Sequence, residues 1–227
     1  MGSRENILGR IRKALGENPG QQDLPEMIGL WPDAQNSPDA MLTSFETALT
    51  AVAGECLPCA TIEEAVAKSQ DLFQQLGAKK IGIVDRPWIR EISAKMNGVE
   101  QIFRPDSPEN VSPESMAQLD VGIIQGEFLL ADTGSCVVAS PTAFDRMLCY
   151  IPPVCLVFAQ KSVLRPHLQA AWPEISARMI NPDDPAGTMN RSGEFLIVTG
   201  PSRTADIEKI LILGVHGPKR IIVFMID

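Results

Sequence analysis

From residue 55 onward, short apolar runs alternate with longer amphipathic stretches, and this alternation limits the available folds more than any other feature of the chain. The runs at 80–84 (KIGIV), 121–124 (VGII), 154–159 (VCLVFA), 195–198 (FLIV) and 221–225 (IIVFM) carry almost no polar residue. A strand apolar on both faces belongs in a parallel sheet that is covered on both sides. The stretches between them have helical spacing, so the pattern predicts an α/β domain.

Local signals place the elements. Thr61 followed by Glu64 is a capping-box pattern, which opens a helix running to Leu76 with Gly77 as its stop. Further helices are expected at 87–96, 112–118, 142–150, 162–179 and 204–213, and further strands at 55–59 and 100–103. The runs 128–131 and 136–139 flank Asp132, Thr133, Gly134 and Ser135, which predicts a hairpin and makes the sheet mixed. Residues 3–15 form an amphipathic helix capped by Ser3. Residues 17–39 are rich in Pro, Asn, Gln, Asp and Gly and read as an extended arm. Another helix is expected at 44–53 and a polar loop at 181–192. The chain therefore divides into an N-terminal helix with its arm, 1–40, and an α/β domain, 41–227.

Charge narrows the function. Net charge is −8, and residues 1–13 hold +3 of it, leaving −11 on the remainder. An acidic body is unsuited to nucleic acid, which needs a concentrated basic face. No apolar run approaches the roughly 18 residues of a membrane span. The polar N-terminus has no secretory pattern. The five cysteines are then expected to be reduced thiols in a cytoplasm. Cys56 and Cys59 form a lone C-x-x-C with no second pair to complete a zinc site. Cys136, Cys149 and Cys155 lack iron–sulfur spacing. No metal site is expected, and the cofactor is left open.

The chemistry-bearing residues fall in two blocks. In the first, an apolar strand runs into Thr199, Gly200, Pro201, Ser202, Arg203, Thr204, Ala205 and Asp206 and then a helix. At the carboxyl end of a parallel strand, a helix start offers free N–H groups to an anion. Gly200 permits close approach, Ser202 and Thr204 add hydroxyls, and Arg203 suits a carboxylate or phosphate. Asp206 competes for the same donors or caps the helix. A capped strand-to-helix turn with an exposed Arg is the alternative. In the second block, Glu127 precedes the hairpin and Arg146 follows it. Thr133, Gly134 and Ser135 at the turn present donors to a ligand or serve only the turn geometry. Glu127, Asp132 and His216 are the candidate acids, bases or nucleophiles. His216 follows the last helix and alternatively satisfies its terminal carbonyls. His167, placed mid-helix, reads as structural.

Two groups of residues resemble a known family. They are Gly200 to Glu208 (GPSRTADIE) with Gly214-Val215-His216-Gly217-Pro218, and Ala131-Asp132-Thr133-Gly134-Ser135 with Arg146 and Ile151-Pro152-Pro153. They are similar to the lactate utilization protein C family, whose module is the LUD domain. The family commonly has Glu at the position of Asp132 and Thr at that of Ser135. The resemblance implies a fold like that of sugar-phosphate isomerases and CoA transferases. It also implies a part in oxidising L-lactate to pyruvate with iron–sulfur partner proteins, and a small carboxylate or phosphate ligand. A stand-alone enzyme acting on a sugar phosphate or acyl-CoA, with Glu127 or Asp132 as base or nucleophile, is the second expectation.

Overall fold

The computed structural model describes residues 3–15, 37–103, 112–179, 194–204, 212–214 and 216–227. The chain divides into two units, residues 1–33 and 34–227. The first contains helix α1 (Ser3–Leu15), with Arg12 and Lys13 in its last turn, where the helix dipole favours cations.

In the second unit, α2 (Pro38–Ala51) begins at Ser37, whose hydroxyl accepts from the Ala40 N–H. It leads into β1 (Glu55–Cys59). Helix α3 (Ile62–Leu76) starts and stops as the sequence predicts: Thr61 Oγ1 accepts from the Glu64 N–H, and Gly77 takes the left-handed conformation. The Glu64 carboxylate reaches one residue further back than in a capping box, to the Ala60 N–H at 2.8 Å. Next come β2 (Lys80–Ile83), α4 (Pro87–Ser93), β3 (Glu100–Phe103), α5 (Pro113–Met116) and β4 (Val121–Gln125).

The hairpin strands β5 (Phe128–Leu130) and β6 (Ser135–Ser140) precede α6 (Ala143–Tyr150) and β7 (Val154–Gln160). The chain continues through β8 (Leu164–Arg165), α7 (Leu168–Met179), β9 (Glu194–Val198), β10 (Arg203–Thr204), β11 (Ile212–Leu213) and β12 (Arg220–Ile226).

The α/β class and the parallel sheet are as expected. Six strands in the order β1-β12-β7-β4-β2-β3 pair in parallel throughout. Helix α3 packs on β1 and β12 and touches α4, while α6 packs on β4 and β7 and touches α5. At the centre, Phe158 and Phe224 are register partners, with rings stacked 4.8 Å apart. Among the described residues no helix is long and apolar enough to cross a membrane.

Three expectations are corrected. First, the hairpin does not join the parallel sheet. It belongs to a separate four-stranded sheet, β8-β5-β6-β9, in which β9 lies antiparallel to β6. One face of this sheet (Leu129, Cys136, Val138, Leu164) joins the main core, and the other (Phe128, Leu130, Val137) packs against Ala171 and Ile175 of α7. Apolar residues on both faces therefore do not distinguish a parallel strand from a sandwiched antiparallel one. Second, the helix predicted from 162 begins at Leu168, because Pro166 holds Arg165 extended. His167 sits at that helix start, its Nδ1 accepting from the Ala170 N–H at 3.2 Å. Third, Thr204 and Ile212–Leu213, the expected ends of the 204–213 helix, are strand residues paired antiparallel with each other. Residues 205–211 lie outside the described residues.

The approach of α6 to the parallel sheet depends on two glycines. Gly82 and Gly122 are register partners on neighbouring strands. A Cβ at Gly122 would lie 2.6 Å from the Leu148 carbonyl oxygen, and one at Gly82 would lie 2.5 Å from a Leu148 methyl. Gly122→Ala is expected to cost about 1–3 kcal/mol, because main chain must move. Gly82→Ala should cost less, since it meets only the side-chain ends of Leu148 and Leu119. Urea denaturation of the two variants measures the difference.

Candidate functional site

The predicted site residues separate into two regions at opposite ends of the parallel strands. At the carboxyl ends of β4 and β7, a crevice of about 290 Å³ is lined by Trp88, Gln125, Gly126, Glu127, Gln160 and Val163. Gln125 ends β4 and its Nε2 donates to Glu127 Oε1 at 3.1 Å. The Gly126 N–H donates to the Phe158 carbonyl at 2.9 Å, which ties the chain after β4 to β7. Glu127 is thus held where ligands of parallel sheets bind.

The turn of the hairpin lies elsewhere. Thr133 Oγ1 donates to Asp132 Oδ1 at 3.2 Å, Ser135 Oγ donates to Thr133 Oγ1 at 2.8 Å, and Ser135 Oγ lies 2.7 Å from Thr199 Oγ1. This string of hydroxyls joins the turn to the residue just before Gly200. Asp132 and Thr133 are exposed and Ser135 is buried. Both glycines here serve packing. Gly134 has φ +63°, and a Cβ on it would lie 2.2 Å from the main-chain nitrogen of Leu49. Gly200 has φ +71°, and a Cβ on it would lie 2.8 Å from the Val52 carbonyl oxygen. The space assigned to a ligand beside Gly200 is therefore filled by the end of α2.

After buried Pro201, the two halves of the GPS…GVHGP motif close on each other. The Ser202 N–H donates to the Pro218 carbonyl at 2.9 Å, and the Gly214 N–H donates to the Ser202 carbonyl at 2.8 Å. Gly217 packs on the Ser202 side chain. The Lys219 N–H donates to the Pro153 carbonyl at 2.8 Å, so the loop also rests on the chain after α6. Arg203, His216 and Lys219 are exposed around this clasp. Arg203 and Thr204 stand on strand β10, not at a helix start. Asp206 lies outside the described residues.

The clasp precedes Arg220, the first residue of β12, and so sits at the amino edge of the sheet. Glu127 sits at the carboxyl edge, about 20 Å away along a seven-residue strand such as β7. His216 and Glu127 therefore do not act on one substrate atom. Arg146 also stands apart from the turn. It pairs with Glu194 at 3.5 Å, and Glu194 is the register partner of Ser140, at the far end of β6 from Ser135. A half-exposed pair of this kind contributes at most about 1 kcal/mol.

The C-x-x-C residues are carried by β1, where positions three apart point to opposite faces. Burial, with smaller contributions from Glu46 and Cys59, pushes the Cys56 thiol up to about 12. Burial also raises Cys59. Neither is a reactive thiolate near neutral pH. The sequence reading passed over three residues that line the crevice: Trp88, Gln125 and Gln160. Their signal was available, because each glutamine closes an apolar strand run at the end where ligands of parallel sheets bind.

Residues 42–226 match the LUD domain family. Lactate utilization protein C of Bacillus pumilus is 30% identical over 110 residues, 48% of this chain and 43% of that protein. The uncharacterized protein YkgG of Escherichia coli is 27% identical over 194 residues, 85% of this chain and 77% of that protein. The chain thus aligns with less than half the length of the former and about three quarters of the latter. A solved DUF162 family protein from Deinococcus radiodurans shares the fold, with a TM-score of 0.54 at 14% identity over 84% of this chain and 99% of that one.

Two outcomes are expected from this geometry. Gly134→Ala should cost about 2–5 kcal/mol, from the left-handed backbone and the contact with α2 together. Chemical denaturation reads this directly, and unchanged stability would show that the turn is free of α2. In the folded protein at pH 8, Cys56 should react with iodoacetamide far more slowly than a free thiol, and at the free-thiol rate in denaturant. Timed mass spectrometry of the labelled peptide checks it.

Proposed function

The chain belongs to the LUD domain family, and on that premise we propose that it is a component of an L-lactate utilization system. It supports oxidation of L-lactate to pyruvate together with iron–sulfur partner proteins, in the cytoplasm. The observation that carries this reading is the family match over residues 42–226, joined to relatives named lactate utilization protein C. The cysteine spacing suits no cluster. The electrons released from lactate are therefore assigned to the partners.

The role of this chain is to bind a small carboxylate or phosphate at the clasp. Arg203, His216 and Lys219 stand exposed about Ser202, on a chain whose net charge is −8. A guanidinium, a hydroxyl and an imidazole are each able to hydrogen-bond a planar carboxylate. Its strength rests on side-chain charge alone, so the site is expected to weaken as salt is added.

Deletion of the gene should abolish growth on L-lactate while leaving growth on pyruvate intact. Retained growth on lactate would remove the proposal. Arg203→Ala should weaken binding of L-lactate or pyruvate about tenfold or more, with little change in melting temperature because Arg203 is exposed. Calorimetric titration of the chain, alone and with its partners, measures the first. A large melting loss with binding retained would make Arg203 structural.

A further inference from the structure

Helix α1 leaves its apolar residues in solvent. Ile7 is 55% exposed and Ile11 49%, with Leu8 half-buried and Ala14 exposed beside them. At the helical repeat these four fall within one sector of roughly 120°, the width of a stripe that normally faces a core. The stripe is therefore a contact surface, and the charges around it decide what it contacts.

Arg10 and Arg12 flank the stripe on opposite sides, while Glu5, Asn6, Gly9 and Lys13 occupy the far face. Arg4 falls in the sector of the stripe, in the first turn. Arginine lays its aliphatic stem along an apolar surface and keeps its guanidinium at the polar boundary. Arg4, Arg10, Arg12 and Lys13 against Glu5 give residues 1–13 a charge of +3, whereas the remainder carries −11.

A surface that covers such a face is apolar within and anionic at its border. A bilayer containing acidic phospholipid has that order, acyl chains beneath negative headgroups. The acidic remainder of a second copy offers the charge without a matching apolar stripe. Its large exposed hydrophobic residues among those described, Leu76, Tyr150, Trp172 and Ile197, stand singly on α3, α6, α7 and β9. Repulsion between that remainder and the lipid is short-ranged, because charges are screened over roughly 8 Å at physiological salt. Residues 16–37 separate α1 from α2. A chain can span roughly 3.3 Å per residue, so this length suffices to hold the remainder beyond the screening distance.

We infer that α1 lies in the surface of an anionic bilayer, with Ile7, Leu8 and Ile11 toward the acyl chains and Arg10 and Arg12 at the headgroup phosphates. Lying on a membrane requires no crossing helix. The anchor is independent of the lactate reading, since it involves no residue of the clasp.

Co-sedimentation of the full chain with vesicles of phosphatidylglycerol and phosphatidylcholine, in a one-to-two ratio, tests this. The chain should pellet with these vesicles at low salt and be released as salt is added. Vesicles of phosphatidylcholine alone should bind it about tenfold more weakly or not at all. Ile11→Asp places a charge in the stripe and should weaken binding about tenfold or more. Arg12→Gln, at a flank, should weaken it more than Lys13→Gln on the far face, which separates a helix lying on its stripe from diffuse charge attraction. Should Ile11→Asp unwind the helix, Ile7→Gln is expected to weaken binding in its place. The inference is overturned if the chain stays in the supernatant, if neutral vesicles bind it equally, or if Ile11→Asp and Ile7→Gln both bind as the native chain does. Sedimentation equilibrium without lipid addresses the other occupant. A dimer that Ile11→Asp dissociates, with no vesicle binding, would assign the stripe to a second copy and overturn the inference. Titration with L-lactate should be indifferent to all these substitutions, so failure here and failure of the lactate proposal are separate results.

Discussion

The paired glycines under α6 set the geometry on which the clasp depends. Gly82 and Gly122 lie side by side on β2 and β4, and the helix descends until Leu148 rests on them. A side chain at either position would lift it. The helix is short and is held at its start by Thr142, whose Oγ1 accepts from the Asp145 N–H at 3.2 Å and donates to Asp145 Oδ2 at 2.8 Å. Its far end delivers Pro153, whose carbonyl receives Lys219. Tyr150 at the end of α6 borders Gly217 of the clasp. The end of the helix therefore braces the clasp at the amino edge. Separately, the Ala139 carbonyl of β6 accepts from Arg86 Nη2 in the loop after β2, which ties that loop to the second sheet.

The two edges differ in charge and in construction. At the amino edge, main-chain hydrogen bonds close a loop and leave Arg203, His216 and Lys219 in solvent. At the carboxyl edge, a carboxylate and two carboxamides line a recess beside an indole.

Much of the fold was legible residue by residue. The caps at Thr61 and Gly77 and the apolar strands are local properties, and they appear where the sequence puts them. The crevice was legible in part: Glu127 was named, while Gln125 and Gln160 fell just beyond the predicted strands 121–124 and 154–159. Less legible was β9, whose apolar run is that of a parallel strand although it pairs antiparallel in a second sheet. Its residues are only partly buried, with Leu196 and Val198 against the main core and Phe195 against the α7 side, and no local property distinguishes that arrangement from two layers of helices. The start of α7 lies later than the predicted 162, because Pro166 holds Arg165 extended.

By itself the sequence determined the class of the protein, the position of most strands and helices, and the identity of the residues able to carry chemistry. These follow from side-chain volume, charge and backbone preference, which act within a few residues. Only the tertiary structure decided which of those residues meet. It joined Ser135 to Thr199 and Ser202 to Pro218, gave Gly134 and Gly200 to the packing of α2, and put His216 and Glu127 at opposite edges. The physical reason is that strand order and the choice of sheet are set by contacts between residues distant in the chain. Periodicity along the chain carries no record of them.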